Sequence, residues 1–444
     1  MAPENGSHGI SRRDVMTAGG GSVAAALAGC SQLLSGDDGP QGQVDEGEIP
    51  DEPIQAGLQD FTEGPAAVLG VLGVRGARIA VDRINEAGGI AGREMELEVV
   101  HEGSNQVENH NAFIEAGKDV TFGPRSSGGH LAMAPNIEDG GVVNVALAGT
   151  TTALFEETVT DPTYTFRAQN HDALETVAAA FTAVDQLGAD NIDTVAGINQ
   201  NYAFGQDEME IFTAAIQKLT GAEVAYSGFP ELGASDLSTH VSSVKEAQPD
   251  VLFSSLWGGD ATLMYEQGIS NGTFEDVGLV SATVTYAPQI TRDMIESIGT
   301  DVYVGDRNWH WSHPPENRWA PGIELAEAAW ERGEGDRQTI FHAIMDGYGA
   351  VTAWATAVEK AVDQLGRWPE QEEIAQALKG HAWYTPAGYH MMTDWNQQMR
   401  PHHSGRLEWS DEYDVMVMED MHVYRPAEVS PPGRQNTLDW IDSW

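Results

Sequence analysis

One pentapeptide of the 444-residue chain could carry nucleophilic chemistry, because residues 268–272 read Gly-Ile-Ser-Asn-Gly. This sequence matches the motif Gly-x-Ser-x-Gly, which in many hydrolases forms the sharp turn that presents the serine nucleophile. Such a turn needs a strand before the serine and a helix after it. Here the helical pattern of residues 261–267 precedes the serine and a turn follows. The sequence therefore disfavours a serine hydrolase and predicts that the protein is not an enzyme.

Two pairs of histidines are the next candidates, because imidazole is a common metal ligand. His310 and His313 form one pair, and His402 and His403 form the other. Zinc sites use three or four ligands at short, characteristic spacings. The two pairs make no such quartet, so the sequence predicts neither a metal nor another cofactor.

The one cysteine, Cys30, lies at the end of an N-terminal export signal. Arg12 and Arg13 precede an apolar segment, residues 15–29, that is shorter than the roughly 18–20 residues needed to span a bilayer. The segment ends in Leu-Ala-Gly-Cys, which resembles a lipoprotein cleavage box. We predict that residues 1–29 are removed and that a lipid at Cys30 holds the protein at the outer face of the cytoplasmic membrane. A buried free cysteine after a chance apolar run is the alternative.

The charge of the chain is strongly negative, with 68 acidic and 23 basic residues and a net charge of -45. Nucleic acid is excluded as a partner, since its phosphates attract basic proteins. The acids are spread along the chain, whereas an acidic face for a cationic partner would be clustered. At molar salt the Debye length falls to about 3 Å and screens this self-repulsion. We therefore predict adaptation to high salt.

After an acidic linker at residues 30–53, the chain alternates between strand and helix patterns. Apolar strand patterns occur at residues 54–60, 95–99, 119–122, 142–148, 192–198, 251–256, 278–284 and 302–304. Alternation at this spacing predicts an α/β fold with parallel sheets covered by helices on both faces. The strands are too many for one sheet, so we expect two doubly wound lobes.

Several collinear motifs resemble one family. Residues 76–90 are similar to the first helix of the branched-chain amino acid binding proteins of ABC importers, which are type I periplasmic solute-binding proteins. Further similar segments are Phe-Gly-Pro-Arg-Ser-Ser-Gly at 122–128, Leu-Ala-Gly-Thr at 147–150, Phe-Arg at 166–167, Tyr-Ala-Phe-Gly at 202–205 and Trp-Gly-Gly-Asp-Ala at 257–261. The resemblance runs from about residue 54 to about residue 401.

The resemblance implies two lobes joined by three crossings, which we place near Arg167, Arg307 and Thr385. The first lobe then comprises residues 54–166 and 308–385, the second comprises 167–307 and 386–430, and residues 431–444 form a tail. Such proteins close like a hinge on a small solute. The implied function is capture of a small polar solute and delivery to the permease and ATPase subunits of an importer. We expect a monomer that meets the membrane only through its lipid.

The first lobe supplies loops that leave a strand and open a helix, where backbone N–H groups and the helix dipole favour an anion. Ser126 and Ser127 add hydroxyl groups to one such loop. In the family, the positions that match Ser127, Ala148 and Thr150 bind the α-carboxylate of an amino acid. The alternative is that these residues only cap helices, as serine and threonine commonly do.

The second lobe departs from the family at two positions. Its predicted ligand residues are Tyr202, Phe204, Trp257, Asp260 and Thr283. Phe204 stands where the family often has a tyrosine, and Thr283 stands about where amino-acid-binding members have a glutamate for the ammonium group. Without that acid the ammonium is unpaired unless Asp260 or Glu63 replaces it, and a buried unpaired charge is costly. The resemblance thus supports a small carboxylate or amide better than leucine.

Two questions stay open on the sequence alone. Trp309 begins the run Trp-His-Trp-Ser-His just past the second crossing, where the tryptophans could form a lid over the cleft or pack at the hinge. The same fold also serves ligand sensors that dock on a membrane receptor instead of a permease.

Overall fold

The computed structural model describes residues 48–282, 290–306, 320–333, 341–411 and 414–444. Cys30, Thr283 and Trp309 lie outside these ranges, as does the crossing predicted near Arg307. The strands are β1 Ile54–Asp60, β2 Met95–His101, β3 Val120–Phe122, β4 Asn144–Ala146, β5 Thr165–Arg167, β6 Thr194–Ile198, β7 Glu223–Gly228, β8 Val251–Ser254, β9 Leu279–Ala282, β10 Val302–Asp306, β11 Ala382–Thr385, β12 Gly388–Met392, β13 Gln398–Met399, β14 His402–Ser410 and β15 Val415–Tyr424.

Helices alternate with these strands over most of the chain. They are α1 Ala67–Glu86, α2 Gln106–Glu115, α3 Ser127–Gly140, α4 Asp172–Leu187, α5 Ala203–Thr220, α6 Ser238–Ala247, α7 Gly258–Asn271, α8 Arg292–Ser297, α9 Ala320–Arg332, α10 Phe341–Leu365, α11 Gln371–Leu378, α12 Pro426–Val429 and α13 Thr437–Asp442. Within the described residues, no helix is long and apolar enough to cross a bilayer.

The first lobe is built on a parallel sheet with the strand order β2-β1-β3-β4-β5. Helix α10 returns from the C-terminal half of the chain and packs along α1. This packing needs glycine, because a Cβ built on Gly76 would lie 1.9 Å from the carbonyl oxygen of Ile344. A Cβ on Gly347 would lie 1.9 Å from the carbonyl oxygen of Gly73. The two helices therefore pack backbone to backbone over the sheet.

The second lobe is built on a larger sheet with the order β15-β14-β10-β9-β8-β6-β7. Its central strands are parallel, and the chain returns late to add β14 and β15 antiparallel at one edge. The α/β fold with two doubly wound lobes, predicted from the strand and helix patterns, is thus confirmed.

The third crossing lies later than the sequence analysis placed it. Thr385 ends β11, which forms a small antiparallel sheet with β12 and β13. Trp383 and Met392 of this sheet are buried in the core of the first lobe. The chain enters the second sheet only after Arg400, at β14. The small sheet therefore belongs with the first lobe because its apolar face completes that core.

The C-terminal residues are folded, although the sequence suggested a tail. Helix α13 packs on α5 of the second lobe. Just before it, Asn436 Nδ2 donates to Glu156 of the first lobe at 2.6 Å. The Thr437 hydroxyl donates to the same carboxylate at 2.6 Å. The segment therefore contacts both lobes.

Several contacts join the lobes directly. Asp207 on α5 accepts hydrogen bonds from the Thr151 hydroxyl at 3.0 Å and from the Thr152 backbone N–H at 2.8 Å. A Cβ built on Gly258 of α7 would lie 3.1 Å from Val68 on α1. The structure therefore shows the two lobes closed against each other.

Candidate functional site

A cavity of about 120 Å³ lies where the carboxyl ends of the strands of both sheets meet. Seven of the predicted ligand residues line it: Ser126, Ser127, Ala148, Thr150, Tyr202, Phe204 and Trp257. Five further residues line it that the sequence analysis did not select: Phe61, Leu69, Arg125, Leu232 and His342. Ligands of doubly wound sheets bind at this edge, so the cavity is the candidate binding site.

The two neighbouring serines of the first lobe have different roles. Ser126 is the N-cap of α3, since its hydroxyl oxygen accepts from the Gly129 N–H at 3.2 Å. The same hydroxyl donates to Glu102. For Ser126 the structure thus shows the capping interaction. Ser127 is buried, and its oxygen accepts from the Thr151 N–H at 3.3 Å, which leaves the hydroxyl proton for another acceptor.

Thr150 stands beside Ser127 at the end of the next strand. It is only 3% exposed, and its carbonyl accepts from the Asp172 N–H at 2.9 Å. The backbone of this loop is therefore tied to the start of α4, which fixes the position of the threonine side chain at the cavity wall.

The second lobe contributes aromatic side chains at the starts of two helices. Trp257 Nε1 donates to the Tyr202 hydroxyl at 3.1 Å, and the rings of Tyr202 and Phe204 are 5.9 Å apart. Tyr202 is the N-cap of α5 and Trp257 is the N-cap of α7, and neither side chain caps its helix. Serine, threonine, aspartate and asparagine are preferred there because they satisfy first-turn N–H groups. The helix dipoles at these two helix starts favour an anion in the cavity.

Asp260 does not line the cavity. Its carboxylate accepts from Gln200 Nε2 at 3.1 Å and from the Gly233 N–H at 3.1 Å. Burial raises the pKa of this carboxyl. Asp260 therefore holds the loop that carries Leu232, one of the residues of the cavity wall. Glu63, the other acid considered for an ammonium group, is exposed, and its carboxylate lies 3.9 Å from His101.

Arg125 is a buried cation at the cavity wall, with two carboxylates behind it. Its Nε and Nη2 donate to Asp60 at 2.8 and 2.9 Å, and its Nη1 donates to Asp346 at 2.9 Å. Burial alone would lower the pKa of the guanidinium, but the two aspartates raise it overall. The aspartates come from the end of β1 and from α10. The ion cluster thus joins three elements of the first lobe beneath the site.

A third buried carboxyl, Glu102, fixes the backbone of the same loop. It accepts from the Arg125 N–H at 2.7 Å and from the Ser126 N–H at 3.1 Å. Burial, together with the nearby Asp60, raises the pKa of Glu102 to about 7. The loop that presents Ser127 is therefore held from below by hydrogen bonds that do not depend on a ligand.

The positions of Arg125 and Phe61 in the sequence could have indicated that they line the site. Arg125 lies within the loop at 122–128 that was singled out, next to the two serines. Phe61 directly follows β1, at the edge where ligands bind. His342 comes from α10, far along the chain, and no local pattern marks it.

One group of described side chains could hold a metal ion by geometry, because carboxylate oxygens of Asp172, Glu175 and Glu208 lie within 4.8 Å of one another. Burial and the two neighbouring acids raise the pKa of Glu208 well above its usual value. The Thr176 hydroxyl also donates to Glu208 at 2.7 Å. We assign no ion to this cluster.

The hydrolase-like pentapeptide lies at the end of a helix. Residues 268–271 form the last turn of α7, and Gly272 caps its C-terminus with a positive φ of 68°. No strand precedes Ser270 directly, as a nucleophile turn requires. His402 and His403 lie buried in β14, and His310 and His313 lie outside the described residues.

The architecture consists of two lobes, each built on a mainly parallel sheet, with a cavity between them. Residues 53–408 match the periplasmic binding protein family, and the chain belongs to this family. The type I members share its two lobes of parallel sheets.

Proteins that are similar to the chain in sequence or in fold are named for different small molecules. The chain is 24% identical over 330 residues to Leu/Ile/Val-binding protein homolog 1 of Brucella abortus, covering 73% of this chain and 82% of the relative. A solute-binding protein of an ABC transporter from Rhodopseudomonas palustris, solved with p-hydroxybenzoic acid, has a TM-score of 0.69 at 18% identity and covers 86% of this chain and 98% of its own. The leucine-, isoleucine-, valine-, threonine- and alanine-binding protein of Brucella ovis has a TM-score of 0.67 at 18% identity, with coverages of 86% and 97%.

Proposed function

We propose that this chain is the extracytoplasmic substrate-binding component of an ABC-type importer, which captures a small polar solute with a carboxylate or amide end and delivers it to a membrane permease. The observation that supports this most is the cavity between the lobes, which combines donors from one lobe with an aromatic cover from the other. Family membership and the named relatives, which bind amino acids or hydroxybenzoate, agree with a solute of this kind.

Within this proposal the first lobe binds the polar end of the solute. Ser127 and Thr150 supply hydroxyl groups, and Ala148 lets the ligand approach the backbone. Tyr202, Phe204 and Trp257 cover the apolar body. Thr283 and Trp309 remain predicted contacts from the sequence, and Ser126 contributes through its helix cap.

The test is to identify what the cavity holds. The mature chain, beginning after residue 29, is purified in molar salt without denaturation, and the small molecules released on unfolding are identified by mass spectrometry. We expect one carboxylate or amide in stoichiometric amount, and its return should raise the unfolding temperature. A protein that releases nothing and gains no stability from any small solute would contradict the proposal.

A ligand sensor is the second candidate. It uses the same fold and closure but docks on a receptor. Genes for permease and ATPase subunits beside this one would support import, whereas an adjacent receptor gene would support sensing.

We also propose that a lipid at Cys30 anchors the protein, because this sole cysteine ends a Leu-Ala-Gly-Cys box after a twin-arginine segment. Replacing the thiol in Cys30→Ser should release the protein from membranes or block its maturation. Intact mass of the membrane-extracted protein checks this directly, and an unmodified Cys30 would refute the anchor.

The charge of -45 supports a further proposal, that full stability needs high salt. Dilute buffer leaves the acidic surface unscreened, whereas molar salt screens it. The unfolding midpoint should therefore rise from low to molar KCl. A midpoint that stays level or falls would contradict salt adaptation.

A further inference from the structure

We infer that the cavity selects a carboxylate with a compact apolar body, about the size of one six-membered ring, and discriminates against ligands that carry an α-ammonium group. This inference rests on the proposed function, since it names the substrate class of the same cavity. Three observations carry it: the aromatic walls, the donors at one end, and the way in which the nearby acids are already used.

The walls favour a flat apolar body. Four aromatic side chains line the cavity: Phe61, Tyr202, Phe204 and Trp257. The polar tip of Trp257 is satisfied within the wall by the Tyr202 hydroxyl at 3.1 Å, so the indole offers the ligand its apolar surface. The cavity volume of about 120 Å³ is close to the roughly 150 Å³ of an apolar protein cavity that binds benzene.

The donors favour an anion at the first lobe. Asp60 and Asp346 accept from three of the five N–H groups of Arg125, and Arg125 itself lines the cavity. Ser127 and Thr150 stand on the same wall. Hydrogen bonds to a charged group are shorter and stronger than neutral ones, and bidentate contacts to arginine suit a carboxylate.

The acids near the cavity are engaged by the protein itself. Asp60 and Asp346 bind Arg125, and Glu102 binds the backbone of Arg125 and Ser126. Two more acids are held in the same way, Asp260 by Gln200 and Gly233, and Asp207 by Thr151 and Thr152. Among the described residues that line the cavity there is no acid.

The sequence around the predicted contact Thr283 adds no acid. Residues 283–289, which include Thr283, contain no aspartate or glutamate. An α-ammonium group in this cavity would leave water without a carboxylate among the described lining residues to receive it, which is costly. A carboxylate that has the same body without the ammonium avoids that cost.

The experiment compares ligand pairs that differ in one group, by calorimetric titration of the mature chain in molar salt. The pairs are phenylacetate against phenylglycine, and 4-methylpentanoate against L-leucine. We expect each carboxylate to bind about tenfold or more tightly than its α-amino partner, and benzoate to bind more tightly than benzyl alcohol. Equal or tighter binding of the amino acids would overturn the inference.

A gain-of-function variant tests the missing acid itself. Leu232 lines the cavity and is 38% exposed, so Leu232→Glu adds a carboxylate without emptying the core. It should shift the affinity ratio toward phenylglycine and L-leucine at least tenfold, whereas the matched Leu232→Gln control should leave the ratio unchanged. An unchanged ratio in the glutamate variant, with ligands still bound, would count against the inference.

Two further outcomes separate the inference from the proposed function. Tighter binding of benzyltrimethylammonium than of benzoate would overturn the inference by showing that the aromatic walls receive a cation. If none of these ligands binds, the inference fails, and the mass of the co-purified molecule then decides the proposed function independently.

Discussion

The two walls of the cavity are supported in different ways. The first lobe presents its donors from loops tied to a buried ion cluster, in which Arg125 bridges Asp60 and Asp346 and Glu102 holds the loop backbone. The second lobe presents aromatic side chains from the starts of α5 and α7, whose N-cap residues Tyr202 and Trp257 line the cavity and make no capping hydrogen bond. One wall is fixed by buried charge, and the other by packing.

This difference indicates that the two walls have different roles in binding. A wall whose hydrogen bonds are satisfied without a ligand is preorganised, so it costs little to bind a polar group there. A wall of apolar rings contributes its favourable free energy mainly when a ligand fills the cavity and covers the rings. The first lobe therefore orients the ligand, and the second lobe closes over it.

The largest effect is expected for Arg125→Met, which leaves Asp60 and Asp346 buried without their cation. Breaking a buried ion pair in this way costs about 3 to 5 kcal/mol of unfolding free energy. Chemical denaturation in molar salt measures the loss. Adding Asp60→Asn and Asp346→Asn should recover most of it. A loss no greater than that of Phe204→Leu, a volume change in the opposite wall, would show that the cluster does not support the first wall.

The second effect concerns the pH dependence of stability. Glu102 has a pKa of about 7 when folded against an ordinary 4.5, so the folded state keeps a proton that the unfolded state has released. Its contribution is complete below pH 4.5 and is lost as the pH rises to about 7. For Glu102→Gln, the unfolding free energy relative to the parent should rise by about 3 kcal/mol across this window. A difference that is constant with pH would contradict the assignment.

The third effect is on affinity. Ser127→Ala and Thr150→Val each remove a hydroxyl from the orienting wall, where a hydrogen bond to a charged group contributes roughly 1.5 to 3 kcal/mol, or about ten- to a hundred-fold in affinity. Calorimetric titration with the identified ligand measures this, and the unfolding midpoint without ligand should change little. If both variants bind like the parent, the two residues cap helices and do not contact the ligand.

The smallest effect is expected for Asp207→Asn, which weakens the contact that closes the lobes. Asparagine keeps one acceptor for Thr151 and Thr152 but loses the charge, and we expect a loss of affinity of up to about tenfold. X-ray scattering should show a larger radius without ligand and an unchanged radius with it. An unchanged radius in both states would mean that closure depends on the cavity walls alone.

The central strands could be predicted from the sequence because a parallel strand that is buried on both faces is a continuous apolar run. Val251–Ser254, in which all four residues are buried, is one example, and it lies within the predicted strand pattern at 251–256. The edge strands could not be predicted in this way. Glu223–Gly228 alternates between exposed and half-buried residues, and Val415–Tyr424 contains Glu419 and Asp420. Their pairing partners, rather than their own composition, make them strands.

The same limit applies to the site. Ser127 and Thr150 come five and four residues after the ends of β3 and β4, so their spacing placed them on one edge of the sheet. The role of Arg125 depends on Asp60 and Asp346, which are 65 and 221 residues away. No pattern in the sequence indicates that the charges of Arg125, Asp60 and Asp346 lie together in the fold. The interaction is visible only once the chain has brought β1, α3 and α10 together.

The late return of the chain to both sheets has a consequence for its synthesis. Helix α10, which covers the first sheet, and β14, which pairs with β10 in the second, both come from the last quarter of the chain. Neither lobe is complete while the ribosome is still translating the middle of the message. Domains usually fold one after another as they emerge, but here both must wait. A nascent chain of 340 residues would expose a first sheet without α10 and a second sheet without β14 and β15, which makes the growing polypeptide a substrate for chaperones.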